Sequence, residues 1–379
     1  MHLLTVAGAA HVGSDLQRWQ VFAPCFPFNC EPRTAREHQN ERSVEDDLPL
    51  RQRKSEASPV AFGPAGVMHY TARPYDIHDF KLAGDPMRDH NPAATETLAS
   101  KVDYYTRQYN ARAEIPDHPQ LFTRWQNESA LVRRTHAGVL DIPFGSANGE
   151  RLDLYPAPRP GAPLLVFIHG GWWRSLDKSD FTFIVPGFHE AGFNVALTNY
   201  TLAPEASIEE ITRQQLRAFS WLHQNAAHYE YDPDRIVVAG HSAGAHLAAM
   251  MMAARWNEYE AGLPANLIKA GILMSGLYDL DPVRYAEFVN VDLKITEDNS
   301  LRLSPGYMPQ SHPIPFITSV GDLESAEFKR QTSLIASQWQ SAHQGDIPLQ
   351  GINHLTICDM FALREHPLFE RSCELIANS

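Results

Sequence analysis

The sequence contains little cysteine and no long apolar run, and each shortage excludes a class of protein. Four cysteines in 379 residues are too few and too scattered for a disulfide scaffold, which is typical of a reducing compartment: Cys25, Cys30, Cys358 and Cys373. Cys25 and Cys30 lack a second ligand pair at zinc spacing, so we predict no metal and no cofactor. No stretch approaches about 18 consecutive apolar residues, so we predict no transmembrane helix and a cytoplasmic protein.

Positive charge is also scarce. Lysine and arginine total 32 against 45 aspartate and glutamate residues, which gives a formal net charge of −13. This balance argues against nucleic acid or an anionic membrane surface as the partner. We therefore expect a small-molecule substrate, and the sequence leaves a homodimer open.

Composition divides the chain into two parts. Hydrophobic residues make up 44% of the sequence, and the length suits one large α/β domain plus an extension. Residues 31–56 are mostly charged or polar without periodicity, and the apolar run at 3–10 lacks the basic start of a signal peptide. We predict that residues 1–67 are a disordered extension, and that residues 68–379 form a single domain. Met68 is our hypothesis for the working start of the chain.

Strands and helices alternate from residue 163 onward. Before that, 68–135 is predicted to be a helical segment packed on the domain, and an antiparallel hairpin is predicted at 138–142 and 151–155. The predicted strands cover residues 164–169, 194–200, 235–239, 270–275, 315–320 and 347–352, and the predicted helices cover 98–112, 178–191, 208–227, 243–256 and 325–343. The alternation predicts a mostly parallel central sheet with helices on both faces. Residues 280–312 contain no clear strand and are predicted to form a lid or substrate wall.

A Gly-x-Ser-x-Gly motif at residues 240–244 lies between a short buried strand and a helical run. Such a strand-turn-helix strains the backbone of Ser242 and exposes its Oγ to a base and a substrate. Side chains at Gly240 and Gly244 would collide where the helix doubles back on the strand. The motif in this context predicts the nucleophile elbow of an α/β-hydrolase fold.

A second strand ends in His-Gly-Gly-Trp-Trp at residues 169–173, some seventy residues earlier. In this fold the segment supplies half of an oxyanion hole, so we predict the N–H groups of Gly171, Trp172 and Ala243 as its donors. Trp172 and Trp173 could wall the acyl pocket or stack on an aryl ring, and Trp173 is the predicted substrate contact. Packing of the loop is the alternative role for both.

The nucleophile needs a histidine and a carboxylate, which follow the serine in that fold in the order acid, then histidine. His354 follows the last predicted strand, where the catalytic histidine belongs, whereas His246 lies one turn along the elbow helix and His343 ends a predicted helix. For the acid we select Glu324, three residues after a strand-ending glycine. Asp322 in the same loop is the first alternative; if it is not the acid, we expect it to close a turn or cap a helix. Asp279 is the second alternative.

These segments resemble the kynurenine formamidases (arylformamidases) of the α/β-hydrolase superfamily. The resemblance covers roughly residues 100–370 and lies in the following segments: His-Gly-Gly-Trp-Trp at 169–173, Gly-His-Ser-Ala-Gly-Ala-His-Leu at 240–247, Ser-Gly-Leu-Tyr-Asp-Leu at 275–280, Glu-Ser-Ala-Glu-Phe-Lys-Arg-Gln at 324–331 and Gln-Tyr-Asn-Ala-Arg at 108–112. The chain departs from the family at Trp172, where tyrosine is common, and at Glu324, where animal members carry aspartate.

The resemblance implies hydrolysis of N-formyl-kynurenine to kynurenine and formate, in tryptophan breakdown, with Ser242, His354 and Glu324 or Asp322 as the triad. The nearest alternative is a broad carboxylesterase on short acyl esters, which would use the same residues. An inactive hydrolase fold used for binding is disfavoured by the intact Ser242 and His354. A metal-dependent formamidase is disfavoured because no His/Asp cluster at ligand spacing occurs.

Overall fold

A computed structural model describes residues 97–379 of the chain. The extension predicted at 1–67 and the start proposed at Met68 lie outside the described residues. Within 97–379, no helix combines the length and the apolar composition that crossing a bilayer requires.

In the described part of the chain, eight strands form one sheet in the order β1-β2-β4-β3-β5-β6-β7-β8. The strands are β1 (Val139–Pro143), β2 (Arg151–Tyr155), β3 (Ala162–Ile168), β4 (Asn194–Thr198), β5 (Tyr231–His241), β6 (Ile268–Met274), β7 (Phe316–Gly321) and β8 (His343–Leu349). Strands β3 to β8 are parallel, while β2 pairs antiparallel with both β1 and β4. The predicted hairpin and the predicted mostly parallel sheet are both confirmed.

Helices cover both faces of the sheet. They are α1 (Leu98–Tyr109), α2 (His118–Thr135), α3 (Val185–Glu190), α4 (Ile208–Asn225), α5 (Ala243–Ala253), α6 (Trp256–Tyr259), α7 (Glu287–Leu293), α8 (Glu297–Ser300), α9 (Ala326–Gln338), α10 (Ile357–Ala362) and α11 (Pro367–Ala377). Short 3₁₀ helices occur at Lys178–Ile184, Pro282–Tyr285, Leu301–Leu303 and Pro305–Tyr307.

The central strands are apolar along their whole length because both of their faces are covered. All seven residues of β3 are buried, as expected for an inner strand of a parallel sheet. Alternate residues of this strand enter two hydrophobic clusters: Leu164 and Val166 pack with α4 and α5, while Leu165 and Phe167 pack with α3, α10 and α11. This two-sided core fixes the strand register and therefore the positions of the strand ends, where the site lies.

Several predicted boundaries were wrong. The single helix predicted at 178–191 is a 3₁₀ helix followed by α3, which has a proline in its first turn, and the helix predicted at 243–256 ends at Ala253 before a separate α6. His343 begins β8 rather than ending a helix, because α9 ends at Gln338 and the chain enters the edge of the sheet. Residues 280–312 contain no strand, as predicted.

Candidate active site

Ser242 occupies the sharp turn between β5 and α5. Its backbone has φ 57° and ψ −120°, a strained conformation for a residue with a side chain. The turn is possible because two glycines allow close approach: a Cβ on Gly240 would lie 2.2 Å from the carbonyl oxygen of Gly244. A Cβ on Gly244 would lie 2.0 Å from the carbonyl oxygen of Ile168 in β3. The steric role predicted for both glycines is confirmed.

His354 reaches the serine from the loop after β8. Its Nε2 lies 3.0 Å from Ser242 Oγ, and its Nδ1 lies 2.6 Å from Glu324 Oε2. All three residues are buried, with exposures of 2%, 6% and 7% for Ser242, His354 and Glu324. The structure therefore brings together three residues that are 30 to 112 positions apart in sequence. In this geometry the imidazole can accept the serine proton while the carboxylate holds the ring.

The second carboxylate oxygen of Glu324 has its own donors. Its Oε1 accepts hydrogen bonds from Ser275 Oγ at 2.6 Å and from the N–H of Gly321 at 2.8 Å. Ser275 lies immediately after β6 with a positive φ of 49°, which directs its hydroxyl across the strand ends. Both oxygens are thus satisfied away from water, and the carboxylate has a single orientation.

The two alternative acids contact other groups. Asp322 Oδ1 accepts from the N–H groups of Gly351 at 2.7 Å and Ile352 at 3.3 Å, so this side chain closes the turn that precedes His354. Asp279 pairs with Arg330 at 3.2 Å and accepts from the N–H of Asp281. Neither carboxylate contacts the histidine, although both belong to loops at the same edge of the sheet.

Two aromatic rings that we did not predict hold His354 in place. His241 Nε2 donates to the carbonyl oxygen of His354 at 2.7 Å, and burial lowers the pKa of His241 well below its ordinary value, with a further contribution from His354. Phe328 packs on the imidazole of His354 at 4.2 Å between ring centroids. His241 lies inside the elbow motif and Phe328 inside the 324–331 segment, so the motifs contained them without indicating this role.

Of the three residues whose N–H groups are predicted to form the oxyanion hole, Gly171 and Trp172 line the same cavity as Ser242, and Ala243 directly follows Ser242. Gly171, with φ 111°, and Trp172 follow β3, and Ala243 is the first residue of α5. Within residues 97–379 none of these three N–H groups donates a hydrogen bond to another described group. Free amide donors at the start of a helix and in a glycine loop can stabilise a developing negative charge.

A cavity of about 230 Å³ opens next to Ser242 and His354. Its lining comes from widely separated parts of the chain, including Arg112, Gly171, Trp172, Arg174 and Phe288. Phe288 belongs to α7, so the segment predicted as a lid or wall contributes to the cavity. Trp173, the predicted substrate contact, is fully buried and packs edge-to-face on His246 at 5.0 Å, and it is not among the described residues that line this cavity.

Sheet topology, elbow and site together define a hydrolase of the α/β-hydrolase fold. A family model described as BD-FAE matches residues 152–287. The chain is 33% identical over 211 residues to kynurenine formamidase of Danio rerio, an alignment that covers 54% of this chain and 69% of that protein. The chain belongs to the kynurenine formamidase family.

Similarity also extends to proteins that are not named formamidases. Esterase LipQ of Mycobacterium tuberculosis is 32% identical over 157 residues, which is 39% of this chain and 37% of that protein. A crystal structure of a protein from Silicibacter sp. tm1040 superposes with a TM-score of 0.63 at 27% identity, covering 72% of this chain and 98% of that chain. The fold is therefore shared well beyond the formamidases.

Proposed function

We propose that this hydrolase cleaves N-formyl-kynurenine to kynurenine and formate, a step of tryptophan breakdown. The observation that carries the proposal is the continuous hydrogen-bonded path from Ser242 through His354 to Glu324, beside a cavity with unpaired amide donors. Membership of the kynurenine formamidase family supports the choice of substrate.

In the first half of the reaction, Ser242 Oγ attacks the formyl carbon while His354 Nε2 takes the hydroxyl proton. The N–H groups of Gly171, Trp172 and Ala243 donate to the oxyanion of the tetrahedral intermediate. The intermediate collapses when the C–N bond breaks and His354 returns its proton to the departing aryl nitrogen. Kynurenine leaves, and the formyl group remains as an ester on Ser242.

In the second half, water attacks the formyl ester and His354 accepts a proton from it. A second tetrahedral intermediate forms at the same amide donors, and its collapse releases formate and returns the proton to Ser242 Oγ. Glu324 keeps the imidazole in the required tautomer throughout and stabilises the imidazolium that forms in each half. The indole of Trp172 walls the cavity beside the serine, which favours a small acyl group.

The direct test is the value of kcat/KM on N-formyl-kynurenine, followed by loss of the formamide and appearance of the free aniline. We expect efficient turnover by the wild type and none above background by Ser242→Ala at the same melting temperature. A fluorophosphonate probe is expected to label the wild type at Ser242 and to leave the variant unlabelled. If the probe labels Ser242 of the wild-type protein but the protein does not hydrolyse N-formyl-kynurenine, the proposed substrate is contradicted.

Hydrolysis of short acyl esters is the second candidate, and the similarity to esterase LipQ favours it. The same residues would act, because an ester and a formamide share the carbonyl that Ser242 attacks. Measuring kcat/KM for p-nitrophenyl acetate beside N-formyl-kynurenine separates the two. A large preference for the ester would replace formamidase with carboxylesterase as the function.

A further inference from the structure

The cavity beside Ser242 carries a cation that the proposed chemistry does not use. Arg112 lies just after α1 and lines the cavity together with Ser242 and His354. Among the ion pairs of residues 97–379 none includes Arg112, whereas Arg107 in α1 pairs with Asp103. A guanidinium that faces a cavity without a carboxylate partner is suited to receive one from a ligand.

The guanidinium is held in place before any ligand arrives. Its Nη2 donates to Ser175 Oγ at 3.0 Å, and its Cζ lies 5.1 Å from the ring centroid of Phe122. Ser175 in turn donates to the carbonyl oxygen of Gly171 at 2.9 Å. One donor of the guanidinium is therefore occupied and its plane is fixed, while the remaining N–H groups are available to a ligand.

A second arginine increases the positive potential of the cavity. Arg174 also lines it and pairs with Asp292 of α7 at 2.6 Å. Burial lowers the pKa of Arg112, and the positive charge of Arg174 lowers it further, so the two cations oppose each other in the cavity. Asp292 neutralises one of them, which leaves one positive charge without a counterion among residues 97–379, in a partly desolvated site.

We propose that Arg112 binds a carboxylate on the leaving group of the substrate, so that the hydrolase selects carboxylate-bearing aryl formamides over uncharged ones. This inference rests on the proposed acyl-hydrolase function of Ser242. The carboxylate belongs to the leaving group because a formyl group has no atom beyond its carbonyl that could carry a charge. Arg112 is thus a specificity residue, separate from the groups that move protons.

The test compares N-formyl-kynurenine with its α-carboxamide, which differs in the charge of one group. The measured quantity is the ratio of kcat/KM for the acid to that for the amide. We expect the wild type to favour the acid by roughly 30-fold or more, because loss of a buried charge-paired hydrogen bond has an effect of that size. In Arg112→Gln the ratio is expected to fall close to one, and in Arg112→Lys to an intermediate value.

Arg107→Gln is the matched control, since it removes an exposed arginine from the neighbouring helix α1 and changes the net charge equally. Its ratio is expected to equal that of the wild type. A wild-type ratio near one overturns the inference and leaves formamide hydrolysis intact. Equal losses on both substrates in Arg112→Gln also overturn it, because Arg112 would then act only by supporting the loop at Ser175 and Gly171.

An ester pair keeps the test independent of the proposed formamidase activity. If neither formamide is hydrolysed, 3-acetoxybenzoate and 3-acetoxybenzamide are compared in the same four proteins. If the wild type prefers the anionic ester and Arg112→Gln is the variant that loses this preference, the carboxylate site is supported. The absence of formamide hydrolysis then contradicts only the proposed formamide substrate. Equal rates on the two esters in the wild type overturn the carboxylate site.

Discussion

At the scale of single residues, Glu324 and Asp322 are the two carboxylates that compete for the role of partner to His354. Glu324 lies 2.6 Å from the imidazole and accepts two further hydrogen bonds, whereas Asp322 accepts the N–H groups of Gly351 and Ile352. The carboxylate of Glu324 holds the imidazole of His354, and that of Asp322 closes a turn. The two side chains should therefore respond very differently to neutralisation.

We expect Glu324→Gln to lower kcat by about 10³- to 10⁴-fold, because the amide cannot stabilise the imidazolium and favours the wrong tautomer. Asp322→Asn is the matched control and should lower kcat less than about tenfold, since an amide oxygen still accepts both N–H groups. Steady-state kinetics on the best substrate, with melting temperatures for each variant, measure both. The reverse order of effects would make Asp322 the acid.

The sequence predicted Ser242 and His354 from motif and position, and it ranked Glu324 above Asp322 without excluding Asp322. Both carboxylates occupy one short loop after β7, and the direction of a loop side chain depends on contacts with Ser275 and His354 that are distant in sequence. Arg112 was visible only as part of a family segment. Its exposure to the cavity depends on packing of α1, which no local pattern reveals.

At the scale of elements, the elbow depends on the approach of β5, α5 and β3. The two glycines of the motif leave no room for a side chain, as the distances to Gly244 and Ile168 oxygens indicate. These contacts are with backbone atoms, which cannot move aside without displacing a strand or a helix. The junction is therefore rigid as well as strained.

We expect Gly240→Ala to lower the free energy of unfolding by about 3 kcal/mol or more, because its Cβ would overlap a backbone carbonyl. Gly262→Ala is the control: its φ is 100° and nothing lies within 4 Å, so backbone strain alone should amount to about 1 kcal/mol. Urea unfolding of both variants measures the difference. Equal losses would mean that the elbow tolerates a side chain.

Helix α5 also carries a buried histidine outside the proposed machinery. His246 Nε2 donates to the carbonyl oxygen of Leu303 at 2.8 Å, and burial lowers the pKa of His246 to about 4. An unfolded imidazole takes up a proton below about pH 6.5, whereas the folded one remains neutral until about pH 4. The unfolded state thus binds more protons, and stability falls as the pH falls through this window.

We expect His246→Gln to lose that part of the pH dependence, because glutamine can still donate to Leu303 without titrating. The difference in unfolding free energy between wild type and variant should shift by up to about 3 kcal/mol between pH 7 and pH 4. Urea unfolding at half-unit pH steps measures it. Parallel pH profiles for the two proteins contradict a buried neutral His246.

Element types were more predictable than element boundaries. Inner strands such as β3 and β5 were evident because burial on both faces requires continuous apolar runs. The helical segment predicted over 68–135 did not resolve the 18-residue α2 as a separate helix. Pro119 lies in the first turn of that helix, where proline is tolerated. Strand β8 was shifted because its burial alternates at the sheet edge, which weakens the apolar signal.

At the scale of the whole molecule, the described residues 97–379 contain both the site and a two-sided hydrophobic core. Every described residue that lines the cavity lies between Asn110 and Leu355. The two hydrophobic clusters of the described residues extend from Tyr109 to Ile376 and cover both faces of the sheet. A core of this size is in keeping with the single domain predicted for residues 68–379.

We expect a chain that begins at Met68 to keep kcat/KM within about twofold and the melting temperature within a few degrees, because the described core and cavity are retained. Thermal unfolding and steady-state kinetics of the two chains side by side measure this. A substantial loss of either quantity would show that residues 1–67 contribute to the domain, contrary to the sequence-based interpretation.

Arg112 and Arg174 line the same cavity as Ser242 and His354 but belong to other segments of the chain. A mutant library confined to these two arginines and Phe288 would leave the elbow and its histidine untouched. Selection from such a library could then exchange an anionic substrate for a neutral or cationic one in few steps. On the proposed roles, the residues that select the substrate are separate from those that break the bond, and this makes the cavity a practical starting point for directed evolution.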